Sequence, residues 1–108
     1  MNPTTTTLTS LFDRIPRRHS LENLVEIRGI VNEYEEVLLG IEAVNAWYEK
    51  KMIIFFEELD EVKTIIKKST DNKASKKTKD AFFDEASGIF KDSIQALIEV
   101  YADGKREA

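Results

Sequence analysis

Cysteine is absent from this chain of 108 residues, and histidine occurs only once, at position 19. The absence of cysteine excludes disulfide bonds, thiolate metal sites and a cysteine nucleophile. Helical bundles that bind two metal ions use Glu-x-x-His pairs that project inward from facing helices, and His19 precedes the periodic segments of this chain. We therefore expect no metal, no cofactor and no enzymatic activity.

Glycine and proline are also scarce, with four and two copies. Hydrophobic residues make up 42% of the chain and charged residues 33%, a balance that favours a globular helical protein over a disordered or all-β one. The length fits a single domain that buries one core.

No stretch approaches the ~20 consecutive apolar residues that a membrane-spanning helix needs. The apolar run Met52–Phe56 lies between two lysines and two glutamates. The first twenty residues lack the apolar core of a secretory signal. We therefore expect a cytoplasmic protein that does not bind a membrane.

Apolar residues recur at helical spacings of three and four along most of the chain. One stripe comprises Leu24, Ile27, Val31, Tyr34, Leu38 and Ile41 and continues through Val44, Tyr48, Met52, Phe55, Leu59, Val62 and Ile66. A later stripe comprises Phe82, Ala86, Ile89, Phe90, Ile94, Leu97, Val100 and Tyr101. The first stripe is heptad-like, as in a coiled coil. The spacing predicts helices near 20–39, 45–68 and 79–103, and no strand.

Polar residues and glycine mark the ends of these helices. Ser20 is placed to cap the first helix, Thr78 or Asp80 to begin the last one, and Gly104 to end it. We predict an all-α fold, either an antiparallel three-helix bundle (four with a short N-terminal helix) or a long helical hairpin. The domain covers residues 20–104, with a C-terminal tail at 105–108. Residues 1–19 form a flexible tail with one or two helical turns.

Gly40 decides whether the first two helical segments are separate. If the chain breaks there, Asn45 caps a new helix and residues 40–44 form the loop of an antiparallel hairpin. If it does not break, one helix from Ser20 to Lys67 would be about 70 Å long. A compact domain of this size has a radius of gyration of about 13 Å, so only a second chain could bury such a rod. We favour the break.

Apolar residues occupy two faces of the segment 45–68. On a helical projection Phe55 joins the main stripe, whereas Ile54 lies about 150° away, beside Trp47 and Ile65. In one interpretation these three residues contact a third helix of the same chain. In the other they form a docking ridge, anchored by Trp47, for a partner protein or a second copy. Because little chain remains to cover both faces, we expect a homodimer with Trp47 near the contact.

The segment 67–79 is strongly basic, with a single acid. Its cations are Lys67, Lys68, Lys73, Lys76, Lys77 and Lys79. These lysines are either a solvated turn between helices or a site for nucleic acid or an acidic protein. The segment lacks the Arg forks and outward aromatic rings of most nucleic-acid grooves.

Ser20 is also a candidate phosphosite. The stretch RRHSL, residues 17–21, matches the Arg-Arg-x-Ser-apolar pattern that basophilic kinases accept. A phosphate at a helix N-terminus is electrostatically favourable. A capping role would explain this serine equally well.

Charge distribution favours a function in protein binding. Residues 20–66 contain eleven acidic and four basic side chains. We expect a non-enzymatic protein-binding module, such as an adaptor, inhibitor or small chaperone-like protein, that acts through an acidic helical surface. The alternative is a small nucleic-acid-associated subunit that uses the lysine-rich segment 67–79.

Overall fold

A computed structural model describes residues 3–16, 18–41 and 46–102; the side chains of Pro3, Trp47, Tyr48, Tyr101 and Ala102 lie outside that description. Four helices occupy these ranges: α1 (Pro3–Arg14), α2 (Leu21–Gly40), α3 (Ala46–Lys68) and α4 (Lys76–Ala102). The described ranges contain no strand. The all-α prediction is confirmed.

Each helix packs against the next one in sequence, and α4 also packs against α1, so the helices form a four-membered bundle. Phe12 of α1 contacts Lys91, whereas His19, further along the chain, contacts Asp80. Helix α1 and the connection that follows it therefore run antiparallel to α4. The bundle measures 48 × 24 × 18 Å.

The N-terminal helix is longer than its sequence predicts. Instead of one or two turns within a tail, α1 has twelve residues. Leu8, Leu11 and Ile15, spaced three and four apart, are buried in the core. This burial compensates for the weak helix preference of the threonines at positions 4–7, because most helical stability in proteins comes from tertiary packing. The expectation of a flexible tail is thus corrected for this segment.

The chain does break at Gly40, as favoured from the sequence. Helix α2 ends there, and the amide of Ile41 donates a hydrogen bond to the Leu38 carbonyl, with N and O 3.2 Å apart. Helix α3 begins at Ala46 and packs back against α2. The continuous-helix alternative is therefore wrong. The predicted cap at Asn45 lies outside the described residues.

The core follows the predicted stripes. Phe55, Leu59, Phe90 and Leu97 are buried, as expected for the facing stripes of α3 and α4. The structure adds α1 to this core, together with Ile30, Ile65 and Phe83.

A polar contact crosses this core. The hydroxyl oxygens of Tyr34 in α2 and Ser93 in α4 are 2.9 Å apart, and Ser93 donates a second hydrogen bond to Oε1 of Glu58 in α3 at 3.2 Å. Because a serine has one proton to donate, Tyr34 must be the donor to Ser93. Burial raises the pKa of Tyr34, which extends the pH range over which its hydroxyl can act as this donor.

The connection between α3 and α4 is shorter than the lysine-rich segment. The turn covers residues 69–75, and α4 starts at Lys76 instead of at Thr78 or Asp80. The reason is that Ser75 caps the helix: its Oγ accepts a hydrogen bond from the Thr78 amide at 3.2 Å. The predicted end at Gly104 lies outside the described residues.

Candidate functional site

A surface depression lies where α2 and α3 meet, along the first half of α2. It consists of two adjoining cavities of about 420 and 350 Å³ that share Arg28 as a wall. The second cavity also reaches the turn after α3 and the first turn of α4, through Thr70 and Lys79. We call this depression the α2–α3 groove. Its floor is formed by Leu24, Val31 and Ile66, and its rim by Arg28, Lys63, Lys67 and Lys79.

Two exposed apolar side chains stand beside the floor. Leu21 is 82% exposed and Val25 is 72% exposed. They lie four residues apart on α2, hence on one face of the helix. Leu24 between them is buried. Single exposed apolar residues are ordinary on protein surfaces, but adjacent ones that line a depression are typical of a binding site.

Ser20 determines where this face begins. Its Oγ accepts a hydrogen bond from the Asn23 amide at 3.0 Å, so Ser20 caps α2 as predicted. The capped helix then exposes Leu21 in its first turn. Ser20 is itself exposed. Its use as a phosphosite stays a prediction, and Arg17 of the kinase pattern lies outside the described residues.

The rim of the groove is basic. The lining residues that the structure describes include four cations and no Asp or Glu. Lys63 is held by Glu35, with Nζ and Oε2 3.0 Å apart. Arg28, Lys67 and Lys79 form no ion pair within the described ranges. Three of the four rim cations are therefore without an ion-pair partner among the described residues.

The six predicted lysines belong to three consecutive elements of the chain. Lys67 and Lys68 belong to the last turn of α3, Lys76, Lys77 and Lys79 to the start of α4, and only Lys73 lies in the turn. The groove uses two of them, Lys67 and Lys79. Lys68 instead lies over the Phe82 ring, with Nζ 5.9 Å from its centroid.

Sequence reasoning missed Leu21, Val25 and Arg28. The signal available was their position outside the stripe Leu24, Ile27, Val31, which predicts exposure. Their position on the helix does not reveal that α3 and α4 bring Lys67 and Lys79 to the same groove.

His19 forms a wall between this groove and a third cavity. That cavity, of about 390 Å³, includes Lys76, Asp80 and Asp84 in its lining. The His19 Nδ1 is 3.5 Å from Oδ1 of Asp80, and its ring packs edge-on against Phe83 at 5.7 Å between centroids. Its Nε2 is buried without a hydrogen-bond partner among the described residues. The ring contact with Phe83 gives His19 a packing role.

The residues of the predicted docking ridge differ in their surroundings. Ile65 is only 5% exposed and belongs to the core, so for this residue the intrachain interpretation holds. Ile54 is 47% exposed, and its neighbour Ile53 is 59% exposed. Trp47 lies in α3, and its side chain is outside the description. A binding role for Trp47 and Ile54 stays a prediction.

Neither a metal cluster nor a membrane-spanning helix is found within the described ranges. No three His, Asp or Glu side chains there are grouped as metal ligands would be. No described helix is both long and apolar enough to cross a bilayer. Comparisons with protein-family models, with curated proteins and with solved structures found no match to this chain.

Proposed function

We propose that this chain is a non-enzymatic protein-binding module that holds a segment of its partner in the α2–α3 groove. The observation that carries the proposal is the pair of exposed apolar side chains, Leu21 and Val25, beside a floor of apolar residues. The contact of these side chains with water is unfavourable in the free protein, and burial against a partner would remove it. Full burial of such side chains contributes about 1.5–3 kcal/mol each.

Quantitative capture of binding proteins from the native host tests this proposal. The wild type is compared with a groove variant, Leu21→Ser with Val25→Ser, and with a matched variant, Ile53→Ser with Ile54→Ser. All four residues are exposed on helices, so each double substitution should leave the fold intact. We expect one protein to be captured by the wild type and the matched variant and lost with the groove variant.

The opposite pattern would contradict the groove. Loss with the Ile53 and Ile54 substitutions alone would move binding to the outer face of α3, which carries exposed Glu57, Asp60 and Glu61. Such an outcome would agree with the expectation of binding through an acidic helical surface. Equal capture by all three proteins would refute both surfaces.

Self-association is a further part of the proposal. A homodimer with Trp47 near its contact is supported by Ile53 and Ile54, which lie about two turns further along α3 and leave apolar surface open. Replacing Trp47 with Glu should shift sedimentation towards the monomer while the helical signal persists. A wild type that is monomeric at tens of micromolar, roughly the range in which a weak dimer is populated, would contradict it.

A nucleic-acid-binding subunit is the second candidate, favoured by the concentration of cations at one end of the bundle. Arg18 lines the same cavity as Lys76, together with Asp80 and Asp84. If phosphates were the ligand, affinity would fall steeply with salt, by a logarithmic slope of about 0.7–0.9 per phosphate contacted. Binding of an oligonucleotide with such a slope, together with no protein captured, would favour this candidate.

A further inference from the structure

The sign of the charge around the α2–α3 groove is opposite to that of the whole chain. The chain has 20 acidic and 16 basic residues, yet the described lining of the groove has Arg28, Lys63, Lys67 and Lys79 and no acid. These cations come from three different helices. Electrostatic complementarity therefore favours an acidic occupant.

The floor of the groove requires an occupant with apolar side chains as well. Leu24, Val31 and Ile66 form the floor, and Leu21 and Val25 are exposed beside it. A nucleic-acid backbone would leave these side chains in contact with water. Single strands usually stack their bases on aromatic rings, and the only ring in the described lining is the His19 imidazole. The chemistry fits an amphipathic segment better.

The backbone of the helices that line the groove indicates which conformation the bound segment has. An extended peptide gains most of its affinity by pairing with the open edge of a sheet. The two long walls here are helices, whose backbone groups are already paired within each helix. A helical segment satisfies its own backbone and needs only side-chain contacts. Leu21 and Asn32 are eleven residues apart on α2, about 16 Å, which suits roughly three turns of a partner helix.

From these three observations, and resting on the proposed protein-binding function, we infer that the groove binds an acidic amphipathic helix. Its apolar side chains pack on Val31 and Ile66, and its carboxylates lie over the rim at Arg28 and Lys67. Binding of the apolar face of an amphipathic helix in a groove is a recurring form of peptide recognition.

Two labelled peptides test the inference by fluorescence anisotropy. Both are helical, about sixteen residues long, with Leu spaced three and four apart along one face; one carries Glu at the flanking positions and its twin carries Lys. We expect the Glu peptide to bind about tenfold more tightly than its twin, given the modest strength of exposed ion pairs. Its affinity should weaken as salt is added.

Charge-reversal variants show whether the rim is responsible. Arg28→Glu with Lys67→Glu should reverse the preference between the two peptides. Lys50→Glu with Lys77→Glu changes the net charge equally at exposed residues outside the described lining, and should preserve the preference. Glu35→Gln should strengthen binding of the Glu peptide by roughly two- to fivefold, because it releases Lys63 from its ion pair.

The outcomes separate this inference from the proposed function. Tighter binding of the Lys peptide, no change on reversal of Arg28 and Lys67, or no binding of either peptide would overturn the acidic helix. Loss of the captured host protein with the Leu21 and Val25 substitutions would still uphold protein binding. A captured partner whose bound segment is neutral or basic would likewise overturn the acidic helix alone.

Discussion

The hydrogen bond between Tyr34 and Ser93 should couple the stabilities of α2 and α4. Replacing Ser93 with Ala leaves the fully buried Tyr34 hydroxyl without the partner it has in the native protein. A buried donor left unsatisfied costs about 1–3 kcal/mol. Replacing Tyr34 with Phe removes one hydrogen bond but keeps the one from Ser93 to Glu58, so it should cost only about 0.5–1.5 kcal/mol.

The double variant distinguishes this explanation from simple loss of two contacts. With Phe at position 34, the Ser93→Ala change no longer strands a hydroxyl. Glu58 loses its bond but is only partly buried, so water can replace the serine. The double variant should therefore lose about 1–2 kcal/mol less than the sum of the two single variants, within the range measured for residues in contact.

Urea unfolding of the four proteins, followed by far-UV circular dichroism, measures this difference. Free energies that add to within about 0.3 kcal/mol, the scatter of independent sites, would refute the coupling. High pH offers a second check because burial raises the pKa of Tyr34 above its ordinary value of 10.0. The stability from the neutral hydroxyl is complete below that ordinary value and is lost as pH rises towards the folded pKa. Only proteins that retain Tyr34 should show this loss.

Three further predictions concern the bundle itself. Leu59→Ala should destabilise it by about 2–5 kcal/mol in urea unfolding, because it leaves a cavity at a fully buried position; a loss near zero would mean that the stripe faces something else. Ser20→Ala should cost about 1 kcal/mol through the lost cap, and an unchanged unfolding midpoint would contradict the capping role. The pKa of Glu33 lies below its ordinary value because Arg14 donates hydrogen bonds to its carboxylate. The stability from this pair is therefore complete above the ordinary pKa and is lost as pH falls through the lower one. An NMR titration should show the Glu33 pKa rise in Arg14→Gln; no rise would contradict the cause.

Helical periodicity was enough to predict α2, α3 and the core of α4. Phe55, Leu59, Phe90 and Leu97 recur at the helical period, which places them on one side of their helices. That side faces the core, and all four residues are buried. The break at Gly40 followed from the length that an unbroken helix would need. Such features depend on local spacing and overall size, both of which the sequence contains.

Features that depend on tertiary packing could not be predicted in the same way. The threonines of α1 are weak helix formers, and the helix is stabilised by burial of Leu8 and Leu11. Ile65 lies off the main stripe and is nevertheless buried in the core of the assembled bundle. The groove depends on the bundle as well, because Arg28 and Lys67 are distant in sequence and meet only when α2 packs on α3.

Mapping of backbone amide shifts by NMR, with the captured partner added to the labelled protein, locates the binding surface. We expect the largest changes at Leu21, Val25, Arg28 and Lys67, around the α2–α3 groove. We expect little change at Ile53 and its neighbours on the outer face of α3. Changes confined to that outer face, with the groove residues unmoved, would contradict binding in the groove.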